Sequence, residues 1–129
     1  MTTAASDARP GGLLAWQWAR YPASHRDRRN LLVHALTAPI FVAGTVALVA
    51  SPFARSAGLA IGGLAAMVGV MAAQGRAHKG EKVGPAPFRG PLDVVRRFLA
   101  EQWFTFPRYV LSGEFARAWR GEPPSVRCR

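Results

Sequence analysis

Two long stretches without a charged residue constrain this chain more than any other feature. The first covers residues 31 to 53, the second covers residues 56 to 75, and a single arginine, Arg55, separates them. A helix needs about 20 mostly apolar residues to cross the hydrocarbon core of a bilayer, and each stretch is that long. The connection at 51–55 is short, so the two stretches are predicted to form an antiparallel hairpin.

Charge and hydrophobicity are segregated along the chain. Half of the 129 residues are hydrophobic, yet the formal net charge is +10, and 16 of the 17 Lys and Arg residues lie on the side of the two termini. A soluble domain would interleave the two kinds of residue at helix or strand period. We therefore expect an all-α membrane protein, a two-span transmembrane hairpin with flanking interfacial amphipathic helices. A soluble helical hairpin is the alternative.

The positive-inside rule gives the orientation and the expected partner. Because the basic residues flank the apolar spans, both termini are predicted to face the cytoplasm, and anionic lipid headgroups rather than nucleic acid are the expected partner of the charge. The expected limits are 1–12 for a disordered tail, 13–120 for one membrane domain, about 31–52 and 56–75 for the spans, about 91–106 for an interfacial helix, and 121–129 for a basic disordered tail.

Helix ends and faces give finer expectations. Ser24 is expected to cap the helix of the first span, and Pro107 is expected to end the interfacial helix. Apolar residues recur at helical spacing from Leu92 to Phe106, whereas Glu101 falls off that face together with other charged residues. This pattern predicts a helix that lies in the membrane interface or closes over the base of the hairpin.

Small residues follow one face of the second stretch. Gly58, Gly62 and Ala66 are spaced four apart, a pattern that lets membrane helices approach closely. It suits packing against the first span, and it equally suits a homo-oligomer.

All three histidines of the chain lie at the open end of the hairpin. They are His25, His34 and His78, with Asn30 one helical turn before His34 and Glu81 three residues after His78. The hairpin register places His34 level with residue 72, and His78 is then about 9 Å closer to the cytoplasm.

Three imidazoles and a carboxylate match the ligand preferences of a first-row metal. Two His plus one carboxylate with open positions is typical of non-haem Fe(II), whereas three His with water would suit Zn or Fe. His34 is the strongest candidate, because an ionisable residue inside a span is costly unless it is paired or functional. Solvated interfacial histidines are the alternative.

Six residues at the base of the hairpin form a spaced pattern: His25-x4-Asn30-x3-His34, then Pro39, then His78-x2-Glu81. The pattern resembles that of the 2-hydroxy fatty acid dioxygenase family. These are small multi-span membrane proteins, and the characterised fungal members are Fe(II)-dependent enzymes that shorten 2-hydroxy fatty acids by one carbon in α-oxidation. The resemblance implies His25, His34 and His78 as iron ligands, with Asn30 and Glu81 as catalytic partners.

The resemblance also implies a substrate. A 2-hydroxy fatty acid and O2 would meet at the metal, and the carboxylate would lie near basic residues of the interface, namely Arg29, Arg76 and Lys79, with Arg26 beside them. The compactness of the chain and its richness in Arg and Ala indicate a prokaryotic plasma membrane, with the site on the cytoplasmic side. A non-enzymatic integral membrane protein that mediates helix packing or lipid-surface interaction is the other interpretation of the same sequence.

Overall fold

All the regular secondary structure in the described part of the chain is helical, so the predicted all-α class is confirmed. A computed structural model describes residues 9–125. The helices are α1 (Gly12–Arg20), α2 (Arg28–Ala50), α3 (Ala57–Ala77), α4 (Pro91–Ala100), α5 (Phe106–Leu111) and α6 (Glu114–Trp119), with 3-10 turns at Tyr21–Ser24 and His78–Gly80 and a π-helical turn at Glu101–Thr105. The predictions for residues 1–8 and 126–129 lie outside the described residues.

The α2–α3 hairpin is the largest packing unit, and it has the predicted short connection at residues 51–55. Its backbones meet at Gly44 and Gly63. A Cβ atom built on Gly44 would lie 2.8 Å from the carbonyl oxygen of Gly63, and one built on Gly63 would lie 2.6 Å from that of Gly44. The predicted small-residue face is different: a Cβ on Gly62 would meet nothing within 4 Å. The close contact therefore depends on the neighbouring glycine.

The helix of the first span begins later than predicted. Asp27 caps α2, and its carboxylate accepts the backbone N–H of Asn30 at 3.1 Å. The expected Ser24 cap is wrong, because Ser24 is the last residue of a 3-10 turn that has Pro22 among its first positions. As a consequence His25 precedes α2 and lies in non-helical backbone.

Helical structure from Pro91 to Leu111 has polar residues inside and apolar residues outside. Asp93 and Arg97 of α4 are buried, whereas Leu92 and Val95 are 61% and 50% exposed. Pro107 was expected to end this helix, and that expectation is wrong: it lies in the first turn of α5, where a missing N–H is tolerated.

Both described ends of the predicted tails are held against helices. Arg9 pairs with Asp93 of α4, with 2.7 Å between nitrogen and oxygen. After α6, the backbone N–H of Ser125 donates to the carboxylate of Glu114 at 3.2 Å.

Two helical segments are long and apolar enough to cross a membrane. They are Arg28–Ala50 and Ala57–Gly80, and only 22% and 17% of their most apolar windows are buried inside the protein. Large apolar side chains point outward along both helices, among them Leu36 at 63% and Ile61 at 70% exposure.

The Gly44–Gly63 contact predicts a difference between two adjacent glycines of α3. Gly63→Ala should destabilise the protein by about 1–3 kcal/mol, because the new methyl group overlaps the backbone of α2. Gly62→Ala is the matched control, and it should be neutral or stabilising by up to about 1 kcal/mol through helix propensity. Thermal unfolding in detergent, followed by circular dichroism, measures both. Equal stabilities would contradict the contact.

Candidate metal centre

Three histidines and one glutamate converge at the open end of the hairpin. His25 precedes α2, His34 lies in the second turn of α2, His78 follows α3, and Glu101 begins the π-helical turn. One ligand atom from each of the four lies within 4.8 Å of the other three. The ring centroids of His25 lie 4.7 Å from those of His34 and His78, which are 5.0 Å apart. This group can hold a metal ion.

Backbone carbonyls fix the tautomers of two of the rings. Nδ1 of His25 lies 2.9 Å from the carbonyl oxygen of Tyr21, and Nδ1 of His34 lies 3.0 Å from that of Asn30. A carbonyl oxygen only accepts, so each Nδ1 carries the proton and each neutral ring has its lone pair on Nε2. This is the arrangement in which an outer hydrogen bond orients a metal-binding imidazole.

The free lone pairs point toward one another and toward a carboxylate. Nε2 of His25 and Nε2 of His34 are 3.4 Å apart, and Oε1 of Glu101 lies 3.6 Å and 3.3 Å from them. A metal with bonds of about 2.1 Å holds its ligand atoms about 3–4 Å apart, so small side-chain movements would let all of these atoms bind one ion. Three acceptors this close need a cation between them, either a proton or a metal ion.

Burial of His25 favours a metal ion over a proton as this cation. Burial lowers the pKa of His25, although the neighbouring Glu101 carboxylate opposes this effect. Burial alone would raise the pKa of Glu101, but its contacts with His25 and His34 outweigh burial and hold that pKa below its usual range. A metal ion between Oε1 of Glu101 and the two Nε2 atoms would balance the carboxylate charge without charging the buried His25 ring.

Two tyrosines contact the histidines and Glu101 and help to hold them in place. The Tyr21 ring stacks on His25 with 3.6 Å between centroids, and its hydroxyl donates to Oε1 of Glu101 at 2.9 Å. Burial, followed by the charge of Glu101, raises the pKa of Tyr21 well above its usual value, so the phenol stays a donor. The hydroxyl of Tyr109 donates to the backbone oxygen of His25 at 3.0 Å.

Glu101 is the member of the group that sequence reasoning missed. The sequence pattern placed it off the apolar face of an amphipathic helix, together with other charged residues. In the structure the face that carries Glu101 points inward, and the π-helical turn begins at Glu101 itself. The available signal was the spacing of Asp93, Arg97 and Glu101, which recur every four residues. Single π-helical turns are frequent at functional sites.

Glu81 was the predicted acid, and it lies outside the metal-binding group. Its carboxylate accepts the backbone N–H groups of Arg26 and Asp27, each at 2.9 Å, and Nδ2 of Asn30 at 2.9 Å. Asn30 in turn places Nδ2 3.4 Å from Nδ1 of His78 and leaves its buried Oδ1 without a hydrogen-bond partner in the described residues. Glu81 therefore fixes the turn before α2 and orients Asn30 beside the third histidine.

The rings of His34 and His78 are closer than the predicted register implies. Gln74 donates to Thr37 across the hairpin at 2.9 Å, which sets the end of α3 level with His34. The 3-10 turn at His78–Gly80 then returns His78 toward the centre. Gln74 also exchanges two hydrogen bonds with Gln102, at 3.1 Å and 2.8 Å, and this pair joins the end of α3 to the π-helical turn beside the centre.

The predicted carboxylate-binding residues surround a different cavity from the one that reaches the metal-binding group. Arg29, Arg76 and Lys79 line a surface cavity of about 350 Å³ whose lining includes none of the three histidines. A cavity of about 50 Å³ reaches the group instead. Its walls include His25, His78, Glu101, Arg20 and Arg97.

Comparison with known proteins gives no information about the site, so its interpretation depends on its own geometry. No family model, curated protein or solved structure matches this chain. The resemblance to 2-hydroxy fatty acid dioxygenases therefore stays a prediction from the spaced residues, whereas the group of three histidines and Glu101 is a structural observation.

The geometry predicts that Glu101, not Glu81, is the carboxylate ligand. Glu101→Gln should lower the affinity for a divalent metal by about 100-fold or more, since loss of even an outer-sphere partner costs about 10–100-fold. Glu122→Gln, a change on the protein surface, is the control and should bind like wild type. Chelator competition and elemental analysis of detergent-purified protein measure this. A Glu101→Gln protein that keeps wild-type affinity would contradict the assignment.

Proposed function

We propose that this protein is an integral membrane, non-haem iron dioxygenase that shortens 2-hydroxy fatty acids by one carbon. The observation that carries the proposal is the convergence of His25, His34, His78 and Glu101 at the base of an apolar hairpin. The spaced histidine pattern supplies the substrate class through the family resemblance, and the geometry supplies the metal-binding group.

The donor set favours Fe(II) as the metal. Imidazole nitrogen suits Fe, Zn, Cu and Ni, and a histidine–carboxylate set with open positions is the pattern of Fe(II) oxygenases. His25, His34, His78 and Glu101 would hold the ion, and Fe(II) would supply the redox chemistry with O2. The Nδ1 hydrogen bonds of His25 and His34 would keep these ligands oriented.

The position of the apolar surface supports membrane insertion. A core helix of a soluble protein of this length is mostly buried, but these two segments bury about a fifth of their apolar windows. The remaining side chains, including Leu36 and Ile61, would be costly in water and are favourable in lipid. The apolar outer side of α4 and α5, where Leu111 is 88% exposed, would lie in the interface.

The proposed reaction balances without any further reductant. A 2-hydroxy acid and one O2 give the acid shorter by one carbon, CO2 and water, with the bond between the first and second carbons broken. The chain's own residues would hold the reacting groups and exclude water from them. Tyr21 would keep Glu101 oriented through its hydroxyl, and the pair Gln74–Gln102 would seal the side toward the lipid core.

The charge pattern predicts that the two termini and the hairpin tip lie on opposite sides of the membrane. Cys128 is the only cysteine of the chain, so it can be labelled selectively. In intact spheroplasts, a membrane-impermeant maleimide should label Ala54→Cys in a Cys128→Ser background and should not label Cys128 in the wild type. Lysis should make both reactive. Labelling of Cys128 in intact spheroplasts, or release of the protein by carbonate, would contradict the topology.

Turnover is the direct test of the proposed activity. Purified protein loaded with Fe(II) should consume one O2 per long-chain 2-hydroxy fatty acid and release the acid one carbon shorter, measured by an oxygen electrode and mass spectrometry. His34→Ala should reduce the rate to that of metal-free protein. Non-hydroxylated fatty acid of the same length is the substrate control.

The same experiment also tests a second candidate function, which is non-enzymatic helix packing. A Cβ atom built on Gly62 or on Gly69 of α3 would meet nothing within 4 Å, which favours a non-enzymatic protein that packs against other membrane helices. In that case His34→Ala would behave like wild type, no O2 would be consumed, and Gly62→Leu would disrupt assembly in detergent.

A further inference from the structure

We propose that Arg20 binds the carboxylate of the substrate, and that the substrate enters between the end of α1 and the loop at residues 83–86. The proposal rests on the proposed function of the metal-binding group. It assigns the anion contact to a residue outside the set predicted from the sequence.

The cavities define the route. The cavity of about 50 Å³ that reaches His25, His78 and Glu101 also contacts Arg20 and Pro85. A larger cavity of about 310 Å³ shares Arg20, Pro85 and two further residues with it. The inner cavity has room for little more than the atoms of a head group. The outer cavity, lined largely by small and apolar residues, can take the first part of an acyl chain.

Two guanidinium groups line the inner cavity, but one of them is already engaged. Nη1 of Arg97 donates to the carbonyl oxygens of Ala86 and Pro87 at 2.8 Å and 3.1 Å, and it lies 3.8 Å from the Asp93 carboxylate. Arg97 therefore holds the loop that forms the far wall. Its Nη1 is thereby taken by protein oxygens, and its Nε is buried without a hydrogen-bond partner in the described residues.

Arg20 is exposed and has donors to spare. Within residues 9–125 its guanidinium makes no hydrogen bond or ion pair, and it lies 5.5 Å from the ring centroid of Trp16. Arg20 is the last residue of α1 and directly precedes Tyr21, whose hydroxyl donates to Glu101. An anion bound by Arg20 is thus positioned relative to the metal-binding group through one residue.

Charge favours a monoanion at this place. A divalent ion with Glu101 and three neutral imidazoles carries one net positive charge, and Arg20 adds another. A single carboxylate therefore meets attraction from two sides, whereas Arg29, Arg76 and Lys79 surround the other cavity and contribute no donor here. Guanidinium binds carboxylate in a bidentate manner, so lysine at this position would be a poorer partner.

Ligand affinity tests the proposal without relying on turnover. Co(II) would replace the native metal, and its visible absorption would report binding of 2-hydroxyoctanoate or of its uncharged methyl ester to detergent-solubilised protein. Wild type should prefer the acid over the ester. Arg20→Gln should weaken binding of the acid by about 10–100-fold and leave the ester unchanged, because a hydrogen bond to a charged group is lost. Arg20→Lys should give an intermediate loss.

Arg76→Gln is the matched control, since it removes one guanidinium from the other cavity and should leave both affinities unchanged. Equal binding of the acid to wild type and Arg20→Gln, with Co(II) bound in both, would overturn the assignment of Arg20 alone. An equal loss in Arg76→Gln would overturn it as well and move the carboxylate to the other cavity. A wild type that binds no Co(II) would overturn the proposed function, and this inference with it.

Discussion

Two hydrogen bonds from imidazole to backbone determine what the interior of this protein can do. Nδ1 of His25 and Nδ1 of His34 each donate to a carbonyl oxygen, so both lone pairs on Nε2 turn toward Glu101. The acceptors of those bonds come from Tyr21 and from the first turn of α2, which the Asp27 cap holds in place. Burying three acceptors face to face is costly without a cation, and that cost makes metal binding the simplest account of the arrangement.

Polar and apolar side chains are distributed in a way that agrees with a buried polar centre. The interior between α1, the base of the hairpin and α4 contains charged and amide side chains, while large apolar side chains face outward along α2, α3 and the outer side of α4. In water such a protein would expose an extensive apolar surface. In a bilayer the outer surface would be solvated by lipid, and several polar side chains inside pair with one another: Gln74 with Gln102, Gln17 with Thr105, and Tyr21 with Glu101.

The sequence predicts the parts of this structure that depend on long uniform patterns. The hairpin, its tip at 51–55 and the meeting of three histidines all follow from the length of the charge-free stretches and the position of the histidines. Glu101 was not predicted to join the histidines, because the helical pattern from Leu92 to Phe106 only places it off the apolar face with other charged residues. The depth of His78 and the start of α2 depended on local events, namely the turn at His78–Gly80 and the choice of Asp27 over Ser24 as cap.

Placing the carboxylate on Arg20 also limits what a metal ion would have to bind. Four protein residues would hold the ion, so little room would be left on it for both the substrate and O2. If Arg20 took the carboxylate, only the substrate hydroxyl would need to reach the ion. A protein that supplies a fourth ligand through Glu101 therefore gains from a cation at the mouth of the cavity, and Arg20 is the exposed guanidinium there whose donors are not engaged by the described residues.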